Sequence, residues 1–493
     1  MHGAEMTGDP PVDGLPGLGP GRNWAEYVPP QTVKKLLGKA VLRWTELLDQ
    51  ATVEPVKLSD RRPERRGQPR WDSGATCQEM TGSGYGAQRI YKHNLKESIC
   101  SKIIDIISRE LIKPSSPTPS NLKNYKLSLF DQICPFQYVH LVLFSSLEEG
   151  TQVQQSEVSS MLRTSLSNTL TQFYPLAGRV KGESSVDCND KGVDYIETRV
   201  DSQLLNIIDR PELDVLNQLI PYKLSVVVGL CISHKIADGC TLSTFIKGWA
   251  ATARDKPSLV CPSFVSATLS PPREPIGFKH VGRILEAGLV TRRLVFSALT
   301  IAALKFEVVP YLAGIQPTRV EVVTALIWKK YGSIASTSMA FHPVNIRKRM
   351  VPALPEHCFG NLFLMANAVS NGEINLATLV TKLRVAIEKI DCDYVKERQG
   401  EDGFEVVMND LKKIGELVSK GKVQVLRFSS WCGFPIYEAD FGWVSIATMD
   451  TKNSIIIMDS KYPGGVEAWV TVHEQDMAIL DQLETFISSF LTS

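Results

Sequence analysis

The chain has 493 residues, 43% of them hydrophobic and 22% charged, with 54 basic against 53 acidic side chains for a formal net charge of +1. That length and composition fit a globular protein of two or three domains, and the charge balance predicts no strong attraction to nucleic acid or anionic membrane. Ten cysteines, with no Cys-x-x-Cys pair and no His/Cys cluster at zinc spacing, predict free thiols, no disulfide framework and no metal site.

Residues 1–30 are rich in Gly and Pro and read as disordered. The acidic N-terminus fits neither a secretory signal nor an organelle transit sequence. No stretch reaches the roughly 18 apolar residues that span a bilayer, so a cytoplasmic location is expected. Val33, Leu36, Leu37, Ala40, Val41, Trp44, Leu47 and Leu48 recur at helical spacing, with Lys34, Lys35, Lys39 and Arg43 opposite. Such a helix packs on its own protein more often than on a membrane. The run Arg61-Arg62-Pro63-Glu64-Arg65-Arg66 reads as a solvated charge cluster. Residues 1–102 therefore form an atypical leader.

Regular structure is expected from residue 103. Residues 103–112 predict a strand, stopped by Pro114, Pro117 and Pro119. Strands or turn-to-strand stretches follow at 124–129 and 138–144. Val158, Leu162, Leu166, Thr169, Leu170 and Phe173 predict a helix, ended by Pro175 and Gly178. Strands at 179–181 and 193–200 come next, then an apolar strand at 226–232 and a helix at 241–250. A Pro- and Ser-rich crossover occupies 254–289. Beyond it, a short strand is expected at 294–296 and helices at 297–305, 319–330, 376–390 and 405–418. A hairpin is expected at 454–458 and 466–472 around Pro463-Gly464-Gly465, with a last helix from Met477 to Phe490. Strands and helices mix without strict alternation, which predicts an α+β fold with mixed sheets.

The most informative stretch is Ser233-His234-Lys235-Ile236-Ala237-Asp238-Gly239, directly behind the apolar strand. A general base wants a side chain titrating near working pH on a rigid mount, and a histidine at a strand end meets both needs. By spacing alone His-x-x-x-Asp fits a capped core histidine equally well.

This stretch resembles the catalytic motif of the plant BAHD acyl-CoA acyltransferases. Asp440-Phe441-Gly442-Trp443 resembles that family's second signature, in the right order and about 200 residues further on. Further matches are Tyr174-Pro175-Leu176-Ala177-Gly178-Arg179, Asn345-Ile346-Arg347-Lys348-Arg349-Met350 and Phe359-Gly360-Asn361. The resemblance implies two similar chloramphenicol-acetyltransferase-like halves, 103–253 and 290–493, joined by the 254–289 crossover, with the active site at their interface. It implies an acyltransferase (of groups other than aminoacyl) working as a monomer. An acyl-CoA, acetyl-CoA by the wording of 430–440, serves as co-substrate, with no permanently bound cofactor. A hydroxyl of a plant specialised metabolite, an alkaloid or terpenoid, is the acceptor.

Carried over residue by residue, the resemblance makes His234 the general base. Asp238 and Gly239 become turn-forming residues, with Arg347 as the partner of Asp238. Asp440 and Trp443 are the further catalytic candidates, with Gly442 supporting their loop and the Trp443 indole N–H as a donor for an oxyanion. Arg292, Arg293, Lys305, Arg319 and Lys329 are the cations on offer for CoA phosphates.

Three stretches are shorter than the family pattern: before Val226, between Lys330 and Phe341, and after Trp443, where Val444 stands in place of the closing glycine. A lost strand before Val226 would expose a sheet edge. These departures keep a catalytically impaired, CoA- or metabolite-binding relative as the alternative. A peptide-synthetase condensation domain is a weaker one, since Ser233 precedes His234 where that class doubles the histidine.

Overall fold

The computed structural model describes residues 104–135, 137–146, 155–200, 225–255, 261–274, 289–332, 337–371, 375–419, 423–434, 436, 444–448, 452–460 and 462–490. The leader 1–102, its amphipathic stretch 33–48 and the quartet Asp440, Phe441, Gly442 and Trp443 lie outside the described residues.

In chain order the N-terminal part runs β1 (Ile104–Ile112), β2 (Asn124–Lys126), α1 (Leu129–Ile133), β3 (Tyr138–Ser146) and α2 (Gln155–Gln172). It continues through β4 (Arg179–Lys181), β5 (Ser185–Asp187), β6 (Val193–Val200), β7 (Ser225–Ser233) and α3 (Gly239–Ala253). A short helix, α4 (Ser266–Leu269), interrupts the crossover. The C-terminal part holds β8 (Leu289–Phe296), α5 (Ala298–Val308), α6 (Arg319–Gly332), β9 (Thr337–Asn345) and β10 (Phe363–Asn371). Then come α7 (Leu376–Glu388), α8 (Cys392–Lys396), α9 (Gly403–Ser419), β11 (Val423–Ser430), β12 (Val444–Thr448), β13 (Ser454–Asp459), β14 (Val466–His473) and α10 (Met477–Ser489).

A six-stranded mixed sheet, ordered β10-β9-β11-β13-β14-β8, organises the C-terminal part. Side chains alternate across a strand, and here the alternation divides two cores. Ile455 and Ile457 of β13 and Ala468 and Val470 of β14 pack with α5, α6, α7 and α10 side chains such as Ile301, Leu326, Leu379 and Leu483. Their neighbours Ile456, Met458 and Trp469 point the other way, into the core built by β3, α2 and α3. The seam between the two parts is thus one face of one sheet.

The N-terminal part carries three smaller sheets: β12-β3-β7, β2-β5-β4 and β1-β6. Strand β12 belongs by sequence to the C-terminal part yet pairs antiparallel with β3, so the chain crosses the seam and returns to β13. Strand β7 is not the fully buried strand its apolar run suggests. Among the described residues it is the outer strand of its sheet, with Gly229 exposed and Leu230 to Ser233 only half-buried. Residues 201–224, which precede it, lie outside the described residues. The crossover is pinned to the C-terminal part by a parallel bridge, Ser263 with Cys358, and by Phe359 N–H donating to Ser263 O at 2.8 Å.

Candidate active site

His234 sits one residue beyond β7. Its backbone N–H donates to Gln137 O at 2.8 Å, and Ser233 faces Tyr138 across the strand pair, so the end of β7 is tied to the start of β3. The residue is half-buried.

Asp238, four residues on, turns away from the imidazole. It is the N-cap of α3, its carboxylate accepting from Thr241 N–H at 2.8 Å. Both carboxylate oxygens also meet Arg347, with Nη1 at 2.8 Å and Nη2 at 3.0 Å, a bidentate pair. Leu362 N–H donates to the same group at 3.0 Å. Arg347 is wholly buried; Nε donates to Cys358 O, and Nη1 and Nη2 also meet Asn345 Oδ1, Thr241 Oγ1, Cys358 O and Gly360 O. Burial pushes the Asp238 carboxyl up, but the guanidinium and the backbone donors outweigh it and hold it below the ordinary range. Gly239 opens α3 against Trp431: a Cβ there would come within 3.0 Å of the indole Nε1 and 3.2 Å of Phe434 Cε2.

The group that does meet the imidazole is Asn361, whose Oδ1 lies 3.0 Å from His234 Nδ1. Its Nδ2 donates to His234 O at 2.7 Å and to Asp131 Oδ1 at 2.9 Å. With both amide hydrogens on acceptors, the Asn361 end facing the ring is the carbonyl. His234 therefore carries its proton on Nδ1, and the Nε2 lone pair is left for chemistry. The Phe363 ring stands edge-on to the imidazole, centroids 5.9 Å apart.

Asp131 is completely buried, within α1. Its carboxylate receives Asn361 N–H at 2.7 Å and Asn361 Nδ2 on one oxygen, and Ser128 N–H at 2.8 Å and Ser128 Oγ–H at 2.7 Å on the other. Burial pushes this carboxyl up while the four donors pull it back. On the far side of α1, Lys235 is also buried, its ammonium donating to the carbonyls of Asp131, Gln132 and Cys134. Burial lowers the Lys235 ammonium. The residue next to the histidine thus holds the helix C-terminus, where a cation suits the dipole. Gly360, at φ +117°, lets the chain turn so that Asn361 reaches Asp131; a Cβ there would lie 3.1 Å from Ser266 Oγ.

Asp440, Gly442 and Trp443 lie outside the described residues. Strand β12 starts immediately after them, with Val444 opposite Phe144 on β3. Ser233 stands opposite Tyr138 on that same strand. Six residues of strand, about 20 Å, separate those two levels. Three of the five cations offered for CoA phosphates are already committed. Arg292 meets Asp481 and Glu484, Arg293 pairs bidentately with Glu467, and Arg319 meets Asp459 at 2.8 Å. Lys305 and Lys329 have no ion pair among the described residues. No group of three His, Cys, Asp or Glu among the described residues is placed to hold a metal. No helix among them is long and apolar enough to cross a membrane.

Asn361, Asp131 and Lys235 carry functional geometry that motif reading left unassigned. Asn361 was within reach, since Phe359-Gly360-Asn361 already stands among the family matches. Ser128-x-x-Asp131 is the spacing of a capping box, a signal for α1 that sequence reading passed over.

Residues 102–486 match the Transferase family. Stemmadenine O-acetyltransferase from Catharanthus roseus is 35% identical over 417 residues, covering 76% of this chain and 96% of that one. The limonoid 7-O-acetyltransferase of Citrus sinensis is 34% identical over 441 residues, again at 76% and 96% coverage. The crystal structure of vinorine synthase superposes with a TM-score of 0.64 at 32% identity, over 76% of this chain and 96% of the other.

Proposed function

Because the chain belongs to the Transferase family, the BAHD acyltransferases, in the branch that resembles vinorine synthase, we propose that it transfers an acetyl group from acetyl-CoA to a hydroxyl of an alkaloid or terpenoid, with His234 as general base. Relatives named for stemmadenine and for limonoids support this acceptor class. The observation that carries the reading is the His234–Asn361 contact, which leaves Nε2 unprotonated on a half-buried residue.

An alcohol is a poor nucleophile at neutral pH and needs a base within hydrogen-bond reach. His234 Nε2 takes the hydroxyl proton as the oxygen attacks the thioester carbonyl. The C–O bond forms, and the carbonyl electrons move to oxygen. As the intermediate collapses, the C–S bond breaks and the thiolate leaves, taking the proton back from Nε2. The imidazolium that exists between these steps keeps its Nδ1–H on Asn361 Oδ1, a hydrogen bond that strengthens with the charge. Asp238, engaged by Arg347, serves the turn and not the ring. The oxyanion calls for a donor worth about 3–4 kcal/mol; the motif resemblance offers the Trp443 indole for it, and Trp443→Phe tests whether that offer is taken up.

The test is release of CoA thiol from acetyl-CoA across a panel of alkaloid and terpenoid alcohols, for the parent and for His234→Ala. Loss of about a hundredfold or more is expected, with circular dichroism unchanged. Activity within a few-fold of the parent would remove His234 from the mechanism. Binding of acetyl-CoA without thiol release on any acceptor would favour the impaired relative.

A further inference from the structure

The base has a mount, and the mount is α1. From the residues flanking the imidazole, two groups clamp this five-residue helix. Lys235 caps its C-terminal carbonyls, and Asn361 hangs on the Asp131 carboxylate within its first turn. All four contacts to that carboxylate come from donors, and Ser128 Oγ itself accepts from Asp131 N–H at 3.2 Å, so its hydrogen is free to point at Asp131. Ser128 Oγ is the one neighbour that could also accept a proton from the acid form, whereas the three N–H donors can only serve an acceptor oxygen, which favours the anion.

Orientation at Asn361 follows. Swapped end for end, the amide would set Oδ1 against Asp131 Oδ1 and His234 O together, two acceptors facing a third. The same swap would aim an N–H at His234 Nδ1, force the ring proton onto Nε2 and occupy the base. Resting on the reading of His234 as general base, we propose that Asp131 is a positioning residue: by accepting from both nitrogens of Asn361 it fixes that amide with its carbonyl toward His234, and so selects the Nδ1–H tautomer. The charged groups around the site are otherwise spoken for. Asp238 and Arg347 neutralise each other, and Lys235 points at carbonyls on the other end of α1.

The test reads the tautomer directly and needs no turnover. Protein labelled with ¹⁵N-histidine reports the Nδ1–H and Nε2–H forms of His234 by ring nitrogen shifts, with His234→Ala assigning the signal. The parent is expected to show the Nδ1–H form alone. Asp131→Asn can turn its own amide and stabilise the swapped Asn361, so a mixture of the two tautomers is expected. Acetyl transfer should then fall about tenfold in kcat with KM for acetyl-CoA unchanged, as when correctly protonated base is diluted. Ser128→Ala is the control: it loosens the same capping box without touching Asn361, and should leave the tautomer as in the parent. If Asp131→Asn does not fold, Asp131→Ser, smaller and uncharged, replaces it. A folded Asp131 variant with the parental tautomer overturns the proposal, as would failure of both variants to fold, which would make Asp131 a folding residue. Absence of acetyl transfer from the parent on every acceptor would sink the functional reading and leave the tautomer result standing.

Discussion

Two buried carboxylates flank His234, and they are satisfied in opposite ways. Asp238 is met by a buried guanidinium, and its charge is spent within a closed network of Arg347, Thr241 and Leu362. Asp131 is met by N–H and O–H donors alone, two of them on the residue that touches the imidazole. A carboxylate paired with arginine is a fastening. A carboxylate held by neutral donors keeps its orienting power and passes it on through the amide. Proximity in sequence misleads here: the aspartate four residues from the histidine does not serve the ring, and the one 103 residues upstream does, by way of Asn361.

The fastening should break hardest. Arg347→Ala leaves Asp238 charged and buried, strips the side-chain donors from Cys358 O and leaves Gly360 O with Thr241 Oγ1 alone. The loss of an ion-pair partner at such a site costs about 3–5 kcal/mol. Urea unfolding of the purified variant measures it. A loss below about 1 kcal/mol would mean that the pair is not the keystone of the turn.

Asn361→Ala strikes the other flank. It keeps the Asp238–Arg347 pair and removes the only side chain hydrogen-bonded to His234 among the described residues. The expected result is a fall in kcat of about a hundredfold, the low end of what a positioned base supplies. Stability should fall less than in Arg347→Ala. Steady-state kinetics beside a urea titration separate the two flanks, and equal damage to kcat and stability in both variants would erase the distinction drawn between them.

Acid should sharpen the contrast by sign. The Asp238 carboxyl lies below its ordinary range, so its stabilisation is present above the unfolded value and is lost as pH falls through the folded one. The Asp131 carboxyl is raised, so protonation in acid favours the folded state and offsets part of that loss. Between pH 6 and about 3, Asp238→Asn should therefore lose less stability than the parent, and Asp131→Asn should lose more. Urea midpoints at a series of pH values, each read against the parent, give both differences, and differences of the same sign would contradict the assignment.

Much of the fold was legible because its helices announce themselves. The α2, α5, α6, α7 and α10 spans were expected from apolar spacing and from stops such as Pro175, and they fall within a few residues of the observed bounds. Strands β9, β10 and β11 were not anticipated. Strands β9 and β11 are interior and β10 is the edge strand beside them, and the two faces of β9 meet different cores, so runs such as Ser338-Met339-Ala340-Phe341-His342 show no clean alternation. Helix α1 escaped for a different reason: five residues are too few to show a period, and only its capping box marks it. At the site, His234, Asp238 and Arg347 could be read from motifs, including the pairing of the last two. The route from Asp131 through Asn361 could not, because it joins positions 131, 361 and 234 through geometry that spacing along the chain does not encode.

The smallest effect is expected at Trp443. An oxyanion donor must come within about 3 Å of the oxygen it stabilises, and removing one costs about a hundred- to a thousandfold in kcat. Trp443 is joined by one peptide to Val444, whose place opposite Phe144 is about 20 Å along β3 from the level of Ser233. Neighbouring Cα atoms are about 3.8 Å apart, and an indole adds only a few ångströms more. That span sets an oxyanion role for the indole N–H against a role in which only the area of the aromatic counts, and one substitution separates the two. Trp443→Phe keeps the area and deletes the donor. Its kcat should stay within about threefold of the parent, well short of an oxyanion-donor loss. A hundredfold loss in a variant that unfolds at the parental urea concentration would return the indole to the reacting carbonyl and show that the chain bends back from β12 toward the histidine.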